Sequence, residues 1–307
     1  MITYIKHSCI DKSKWDEAIS KSFNKLPYAL SWYLDIVSPG WDALILDDYV
    51  EVMPLAQRNK FGIFYIFQPL LCQQLGVFST IREGLFCIDD YLDAIPRRFK
   101  LIDLTINSRN FVSDQFQDIR IETRTNQELK LNVSYEEIRR NYTKSHIHNI
   151  KKFDKNTILK VDTSLTFPEF YRIKFESFKK KGIKISAKDS QVYYRLLNEL
   201  YDNGKLKIYV GVTENGEIPG GICFMDLDFG RVSIQTFCDD CCKKSGFIFH
   251  FIDQFIKNNS NEKIIFDFMG SSISSIRDFN IGFGSCDLSY NYIRLNRLSI
   301  IGKIIKR

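Results

Sequence analysis

The segment from Phe266 to Ser285, FDFMGSSISSIRDFNIGFGS, constrains the fold of this chain more than any other stretch of the sequence. The apolar run from Ile264 to Met269 predicts a short buried strand that ends at Gly270. A turn of helix should follow and end before Gly282 and Gly284. Asp267 lies inside the apolar strand, where an unpaired charge would be costly. We therefore expect Asp267 either to have a polar partner or to take part in chemistry.

The predicted strand places Asp267 beside small residues at its carboxyl end. Gly270 and Ser271 would let a ligand approach the backbone closely there, so we expect them to contact substrate. Asp267 then has two interpretations. It is a base that accepts or orients an amine, or it is a structural carboxylate that binds the turn at residues 270–272. The sequence leaves both open.

The order of predicted elements indicates an α+β protein. At 307 residues, the chain fits two domains of about 150 residues each, and we place them at residues 1–127 and 128–307. The first half gives two helices, antiparallel strands, a helix and a strand. The second gives a strand, helices, three antiparallel strands, a helix, a strand, a short helix and a last strand. Each domain should hold a mixed, mostly antiparallel sheet flanked by helices.

Charge and cysteine patterns exclude several classes of protein. The sequence has no run of about 20 apolar residues, so we expect no membrane span. The charged start lacks the layout of a secretory signal, which favours a cytoplasmic protein with reduced thiols. Cys238, Cys241 and Cys242 form the one cysteine cluster, and no histidine pair accompanies them at the spacing of a zinc site. We expect no bound metal.

A basic helix is predicted from Ser134, which forms a capping-box pattern with Glu137. Steps of three and four place a set of basic residues on one face: Arg140, Lys144, His148, Lys151, Lys152 and Lys155. This face is either a solvated surface or a positive rim for a phosphorylated ligand or RNA. Under the second interpretation, Lys144 and His148 contact substrate.

A candidate anion site follows the strand that ends at Phe237. The sequence CDDCCKKSG, from Cys238 to Gly246, precedes a helix with a wide apolar face. Lys243 and Lys244 would oppose the dipole of that helix unless an anion lies between them. Free N–H groups, the cap Ser245 and the glycine would form a phosphate cradle. An ordinary capped helix explains the same residues, and both interpretations stand.

Two segments of the second half resemble a known family. The stretch 267–285 resembles the D-F-x-G-S…F…x-F-G pattern of FemAB/FemX-like proteins of the GNAT superfamily, including BioF2-like acetyltransferase domains. The segment YTKSHIHNIKKF, at 142–153, is similar to the polar-basic helix of the same group. The resemblance is clearest over residues 130–295. In the first half, only SWYLDIV and QQLGVF match, and more loosely.

The resemblance implies two tandem GNAT-like domains and transfer of an acyl or aminoacyl group to an amine. It implies a donor site at the end of the meander, formed by Phe237, Cys238, Lys243, Lys244, Ser245 and Gly246. It implies acceptor contacts from Trp32, Tyr33, Gln73 and Gln74 in the first domain, although the two glutamines also fit a role in bracing their loop. The family's pyrophosphate loop carries an arginine and two glycines, whereas CDDCCKKSG keeps one glycine and two lysines. The donor is therefore acyl-CoA, with acetyl-CoA first among its forms, or aminoacyl-tRNA.

Amine acylation requires a neutral amine and a proton for the leaving group. Asp267 is the candidate base, and Tyr290 or Tyr292 is the candidate acid. No Ser-His-Asp or Cys-His pattern indicates a covalent intermediate, so we expect direct transfer.

The sequence thus predicts an N-acyltransferase that acts on the amine of a small molecule or peptidoglycan precursor. The first alternative is a FemX-type aminoacyl-tRNA-dependent transferase, although no heptad run provides a coiled-coil arm for tRNA. The second is a non-catalytic module that binds anions or RNA.

Overall fold

The computed structural model describes residues 1–116, 118–155, 158–270 and 273–298. Its contacts group the chain into two compact units. The first comprises Met1–Thr125 and the chain from Ser289 on, and the second comprises Asn126–Leu288. The predicted boundary at residue 127 lies close to the first of these crossing points. The predicted second domain also included the last strand, however, and the residues of that strand from Ser289 on pack in the first unit.

The first unit contains short helices, two larger sheets and one two-stranded sheet. Its helices are α1 Lys12–Lys21, α2 Ser31–Val37 and α3 Asp89–Ala94, with 3-10 turns at His7–Cys9 and Pro27–Ala29. Its strands are β1 Ile2–Ile5, β2 Asp42–Leu46, β3 Glu51–Leu55, β4 Gln57–Lys60, β5 Ile63–Ile66, β6 Phe78–Ser79, β7 Phe86–Cys87, β8 Phe99–Ile106, β9 Asn110–Phe111 and the start of β10 Ile119–Lys130. Asp11 caps α1, since its carboxylate accepts hydrogen bonds from the N–H groups of Ser13 and Lys14.

Antiparallel pairing dominates this unit. One of the two larger sheets has the order β1-β2-β3-β6, in which β2 and β3 form a hairpin. In the other sheet, β8 lies parallel to β5 and antiparallel to the last strand, β16 Cys286–Asn296. Apolar residues from these strands and from α3 form one core, which includes Leu44, Phe99 and Ile293.

The second unit places helices around a meander. Its helices are α4 Tyr135–Arg140, α5 Lys144–Asp154, α6 Phe167–Lys180, α7 Ala187–Asp202, α8 Asp240–Ser245, α9 Phe247–Asn258 and α10 Ser274–Ile281. Its strands are β11 Lys160–Asp162, β12 Leu206–Val212, β13 Gly220–Asp226, β14 Arg231–Cys238 and β15 Ile265–Asp267. The sheet order is β11-β12-β13-β14-β15-β10, antiparallel except for β14 and β15, which run parallel. The α+β class with mixed, mostly antiparallel sheets is confirmed.

The helix predicted from Ser134 is two helices. Ser134 caps α4 by accepting a hydrogen bond from the Glu137 N–H at 3.3 Å. Thr143 then starts α5, because its hydroxyl accepts from the His146 N–H at 3.3 Å and satisfies a new helix terminus. The prediction of one continuous basic face that includes Arg140 is therefore wrong, and the other basic residues of that set lie on α5 or directly after it. The strand predicted to open the second half is the end of the longer β10, which begins at Ile119.

Candidate functional site

The second unit opens where two parallel strands separate. β15 pairs with β14 only at Arg231–Ser233 and then ends at Asp267. β14 continues to Cys238, paired there with β13 on its other side. The chain leaves β15 through positive φ angles at Met269 and Gly270, 58° and 55°. From Ile234 to its end, β14 therefore pairs with β13 on one side only, and no strand of the described chain pairs with its other side.

A cavity of about 500 Å³ fills this opening, which we call the strand-gap cavity. Its walls come from α6, β14, α9 and α10. Apolar side chains, including Ile234, Phe249 and Phe279, form most of the lining, while Lys174 and Gln235 add polar groups. A mostly apolar cavity of this size with a few polar groups suits a small organic ligand.

The amino-terminal end of α9 borders the cavity with free donors. N–H groups in the first turn of a helix have no acceptor within the helix. That of Phe247 donates to Ser245 Oγ at 3.1 Å and that of His250 to the Gly246 carbonyl at 3.1 Å. The structure gives the N–H groups of Ile248 and Phe249 no acceptor among the described residues, and both residues line the cavity. The positive end of the helix dipole thus faces this space.

The two lysines expected before α9 belong to a helix of their own. The carboxylate of Asp239 accepts from the Cys242 N–H at 3.0 Å and starts α8, whose last turn contains Lys243 and Lys244. Cations are favourable at that end, so the premise that they oppose a helix dipole is wrong. Gly246 separates the two helices with a φ of 81°, and an added Cβ would lie 2.2 Å from the Asn149 carbonyl oxygen. The role of Lys243 and Lys244 in binding the donor stays a prediction.

A second space, which we call the basic hollow, lies against α5 and the end of α8. It has a volume of about 440 Å³ and is lined by His148, Lys151, Lys152, Lys155, Ile158, Lys244 and Ser245. Among the described residues, none of these four lysines has a carboxylate within 4 Å, whereas Lys243 pairs with Asp240 at 3.1 Å. The structure therefore brings Lys244 together with the basic residues of α5. Lys243 and Gly246 instead line the strand-gap cavity.

Asp267 is fully buried and bonded on several sides. It accepts hydrogen bonds from Arg231 Nη1 at 2.6 Å, Asn126 Nδ2 at 2.9 Å and the Met269 N–H at 2.8 Å. Arg231 also contacts Glu128 at 2.7 Å. The bond to Met269 holds the turn after β15, as the structural interpretation requires. Asp267 is not among the described residues that line the cavity, and its role as a base stays a prediction.

The two candidate tyrosines belong to the first unit. Tyr290 is mostly buried, and Tyr292 lies beneath the Arg124 guanidinium, 4.2 Å from the ring centre. Burial and a hydrogen bond with Asp103 raise the pKa of Tyr292 and so weaken it as an acid. Neither lines the strand-gap cavity in the described chain. Their role as acids stays a prediction.

The first-unit glutamines brace their loop. Gln74 Oε1 accepts from the Ser108 N–H at 3.0 Å, and Gln74 Nε2 donates to Gln73 Oε1 at 3.3 Å. Trp32 is half-buried and packs edge-on against Tyr33, whose hydroxyl donates to the Leu71 carbonyl. These contacts agree with bracing, and substrate contact by these residues stays a prediction.

The remaining predicted residues are spread over the second unit. Phe237 is buried against Phe170, while Cys238 lines the strand-gap cavity. Lys144 is exposed at the start of α5 and lines neither space among the described residues. Gly270 forms part of the turn after β15, and Ser271 lies outside the described residues. No group of three or more His, Cys, Asp or Glu side chains that could hold a metal ion occurs among the described residues.

Sequence reasoning missed Lys174, which is 1% exposed and lines the cavity. Its Nζ donates to Gln235 Oε1 at 2.8 Å, and the same oxygen accepts from the Tyr193 hydroxyl at 2.8 Å. Burial lowers the pKa of Lys174 to about 8. The signal was present in the sequence, because Lys174 continues the apolar stripe of α6 that contains Phe167 and Phe170.

Comparisons with solved structures identify the fold, whereas comparisons of sequence find no match. No family model and no curated protein matches this chain. The crystal structure of FemX matches with a TM-score of 0.64 at 9% identity, over 97% of this chain and 99% of that one. A protein of unknown function from Bacteroides thetaiotaomicron matches at 0.55 and 10% identity, over 96% of this chain and 100% of its own.

A third match is the C-terminal domain of an Agrobacterium fabrum protein assigned as a lysylphosphatidylglycerol synthetase, with a TM-score of 0.51 at 10% identity. It covers 96% of this chain and 93% of that domain. At such identities these likenesses speak for the fold, and the expected FemX-like fold is confirmed. No helix among the described residues is long and apolar enough to cross a membrane.

Proposed function

We propose that this protein is an N-acyltransferase that moves an acyl group from acyl-CoA directly to an amine. The observation that carries the proposal is the strand-gap cavity between β14, α9 and α10. It combines an uncovered strand edge, free helix N–H groups and an apolar lining in one place.

The cavity matches the chemistry of a CoA thioester. An extended chain with amide groups can pair with the uncovered edge of β14, as a peptide adds to a sheet. The N–H groups of Ile248 and Phe249 would donate hydrogen bonds to a phosphate or carbonyl oxygen. The basic hollow lies on the other side of the Lys243–Gly246 segment and would take further phosphate groups. A donor that is apolar at one end and phosphorylated at the other fits both spaces.

Aminoacyl-tRNA is the second candidate donor. The basic hollow favours it, because His148, Lys151, Lys152, Lys155 and Lys244 present more positive charge than one pyrophosphate requires. Such a cluster attracts the backbone of a nucleic acid in a salt-dependent way. The same hollow would serve the non-catalytic alternative, a module that binds anions or RNA. The acceptor amine, of a small molecule or a peptidoglycan precursor, follows from the family resemblance alone.

Binding of donors to charge-reversal variants tests this proposal. We expect acetyl-CoA to raise the melting temperature of the wild-type protein. Reversing Lys151 and Lys152 to Glu should weaken acetyl-CoA binding at least roughly tenfold, because an attraction of about 1 kcal/mol between a charge and a phosphate at 4 Å in water becomes a repulsion at each position. The matched control reverses Lys179 and Lys180, which are exposed on α6 and line neither space in the described chain.

The outcomes separate the three functions. Saturable acetyl-CoA binding with release of CoA when amines are added supports the acyl-CoA transferase. Turnover with charged tRNA alone supports the second donor. Tight RNA binding that falls steeply with salt, without turnover, supports the binding module. If no acyl-CoA raises the melting temperature, acyl-CoA is not the donor.

A further inference from the structure

Lys174 is a buried amine without an acidic partner. No carboxylate lies within 4 Å of its nitrogen among the described residues, and its polar contact is the neutral amide oxygen of Gln235. The rings of Phe178 and Tyr193 lie 5.3 and 5.2 Å from Nζ. A permanent charge in such surroundings would be costly. The site therefore tolerates a neutral amine and gives a transient cation two aromatic faces.

The position of Lys174 connects this amine to the donor. Lys174 and Gln235 both line the strand-gap cavity, and Gln235 is the second residue of β14 beyond its pairing with β15. Gln235 Oε1 accepts from both the Tyr193 hydroxyl and Lys174 Nζ, which fixes the amide orientation. Lys174 donates one N–H to Gln235, and the described residues give its nitrogen no further hydrogen-bond partner.

We propose that Lys174 is the proton acceptor of the transfer reaction and acts on a primary-amine acceptor in the strand-gap cavity. This role rests on the proposed acyl transfer. The acceptor nitrogen attacks the thioester carbonyl, and a C–N bond forms. The neutral Lys174 amine takes a proton from that nitrogen and becomes an ammonium group. The C–S bond then breaks, and the ammonium returns the proton to the thiolate. The products are an amide and free CoA, with no further reactant.

The pH dependence of such a base has a defined sign. Rate should rise with pH as Lys174 loses its proton. The titratable groups that face Lys174 are Tyr193 from α7 and Cys223 from β13, and burial raises the pKa of both, that of Cys223 to about 12. Both stay neutral while Lys174 titrates. Gln235 from β14 does not titrate.

Three other titratable groups line the same cavity, Cys238, Cys242 and Lys243, and Cys238 needs a control. The hydrogen bond with Cys238 and burial raise the pKa of Cys242, so this thiol stays neutral. A hydrogen bond with Cys242, together with nearby lysines, lowers the pKa of the Cys238 thiol. Its titration could imitate that of Lys174 in a rate profile. Lys243 keeps its proton in this range, because its bond to Asp240 raises its pKa. Cys238→Ser is therefore part of the test.

Rate profiles with acetyl-CoA and a panel of primary amines test the proposal, with CoA release as the signal. Lys174→Met should lower the rate by a factor of about 10² to 10⁴, while acetyl-CoA still raises the melting temperature. Lys174→Arg keeps a charge but supplies no base, and it should lose the same activity. Lys180→Met, on the exposed side of α6, should match wild type. Full activity in Lys174→Met, or loss of the rising limb in Cys238→Ser alone, would overturn the proposal.

Chemical labelling provides a test that needs no acceptor. Acetic anhydride at graded pH, followed by mass spectrometry, reports the neutral fraction of each lysine. Lys174 should become reactive with a midpoint near pH 8 and be protected by saturating CoA, whereas CoA should not protect the exposed Lys180. A Lys174 midpoint in the ordinary range would refute the role as base. Labelling near pH 8 without protection by CoA would instead count against acyl-CoA as the donor.

Discussion

Replacing Arg231 by methionine is expected to lower the free energy of unfolding by about 3–5 kcal/mol. The substitution removes the cation that contacts both Asp267 and Glu128, at 2.6 and 2.7 Å. Asp267 is 0% exposed, so its charge would stay buried without the guanidinium group that neutralises it. Urea unfolding measures the loss.

Two further variants make this result specific. Arg172→Met removes an exposed pair with Glu176 and should change stability by less than about 1 kcal/mol. Combining Arg231→Met with Asp267→Asn should recover part of the lost stability, because the buried charge is then absent. Equal losses for Arg231→Met and Arg172→Met would contradict the account of this network.

The same variants test the role of Asp267 in chemistry. If the double variant folds and still turns over donor, the carboxylate of Asp267 is structural and holds the turn after β15. A folded double variant without turnover would support Asp267 as the base, which is one of the two interpretations that the sequence leaves open. The melting temperature in the presence of donor distinguishes lost chemistry from lost binding.

Raising the pH from 7 to 10 should increase the free energy of unfolding of wild type, relative to that of Lys174→Met, by about 2–3 kcal/mol. The folded pKa of Lys174 is about 8, below its ordinary value of 10.5. Between these values, the unfolded state binds more protons, so wild-type stability rises with pH. Below pH 8, both states are protonated and the full cost of burying the charge is present, about 3 kcal/mol at 1.36 kcal/mol per pKa unit.

The comparison of two variants isolates this effect from other groups. Lys174→Met also loses the bond to Gln235, which shifts its stability by an amount that does not depend on pH. Lys180→Met is exposed, so it should show no change in its difference from wild type over the same range. Urea unfolding at each pH gives the values. If the difference in free energy of unfolding between Lys174→Met and wild type does not change with pH, burial does not disfavour the protonated form of Lys174.

Local signals in the sequence predicted much of the fold. The antiparallel strands of the first half and the meander of β12 to β14 depend on residues close in sequence, and both are found in the structure. Two local errors have physical causes. Thr143 caps a new helix inside a run that looks continuous, and Asp239 starts α8 in a stretch that resembles a loop.

The site was harder to predict because it depends on distant parts of the chain. The buried charge of Asp267 indicated a partner, yet nothing in the sequence identifies Arg231 or Asn126 as that partner. Lys174 stood in an apolar stripe, where most lysines extend their amine to water. Whether it does so depends on α7 and β14, which close over it. The cavity itself follows from the point where β14 and β15 part, and the position of that point is a property of the folded sheet.

Calorimetric titration of CoA into two neighbouring tryptophan variants tests the central claim most directly. Ser275 and Ser274 are both exposed on α10, but of the two only Ser275 is among the described residues that line the strand-gap cavity. Wild type and Ser274→Trp should bind CoA alike, and Ser275→Trp should lose at least about tenfold in affinity, or 1.4 kcal/mol. Equal affinity in both variants, or no binding to wild type, would contradict a donor site in this cavity.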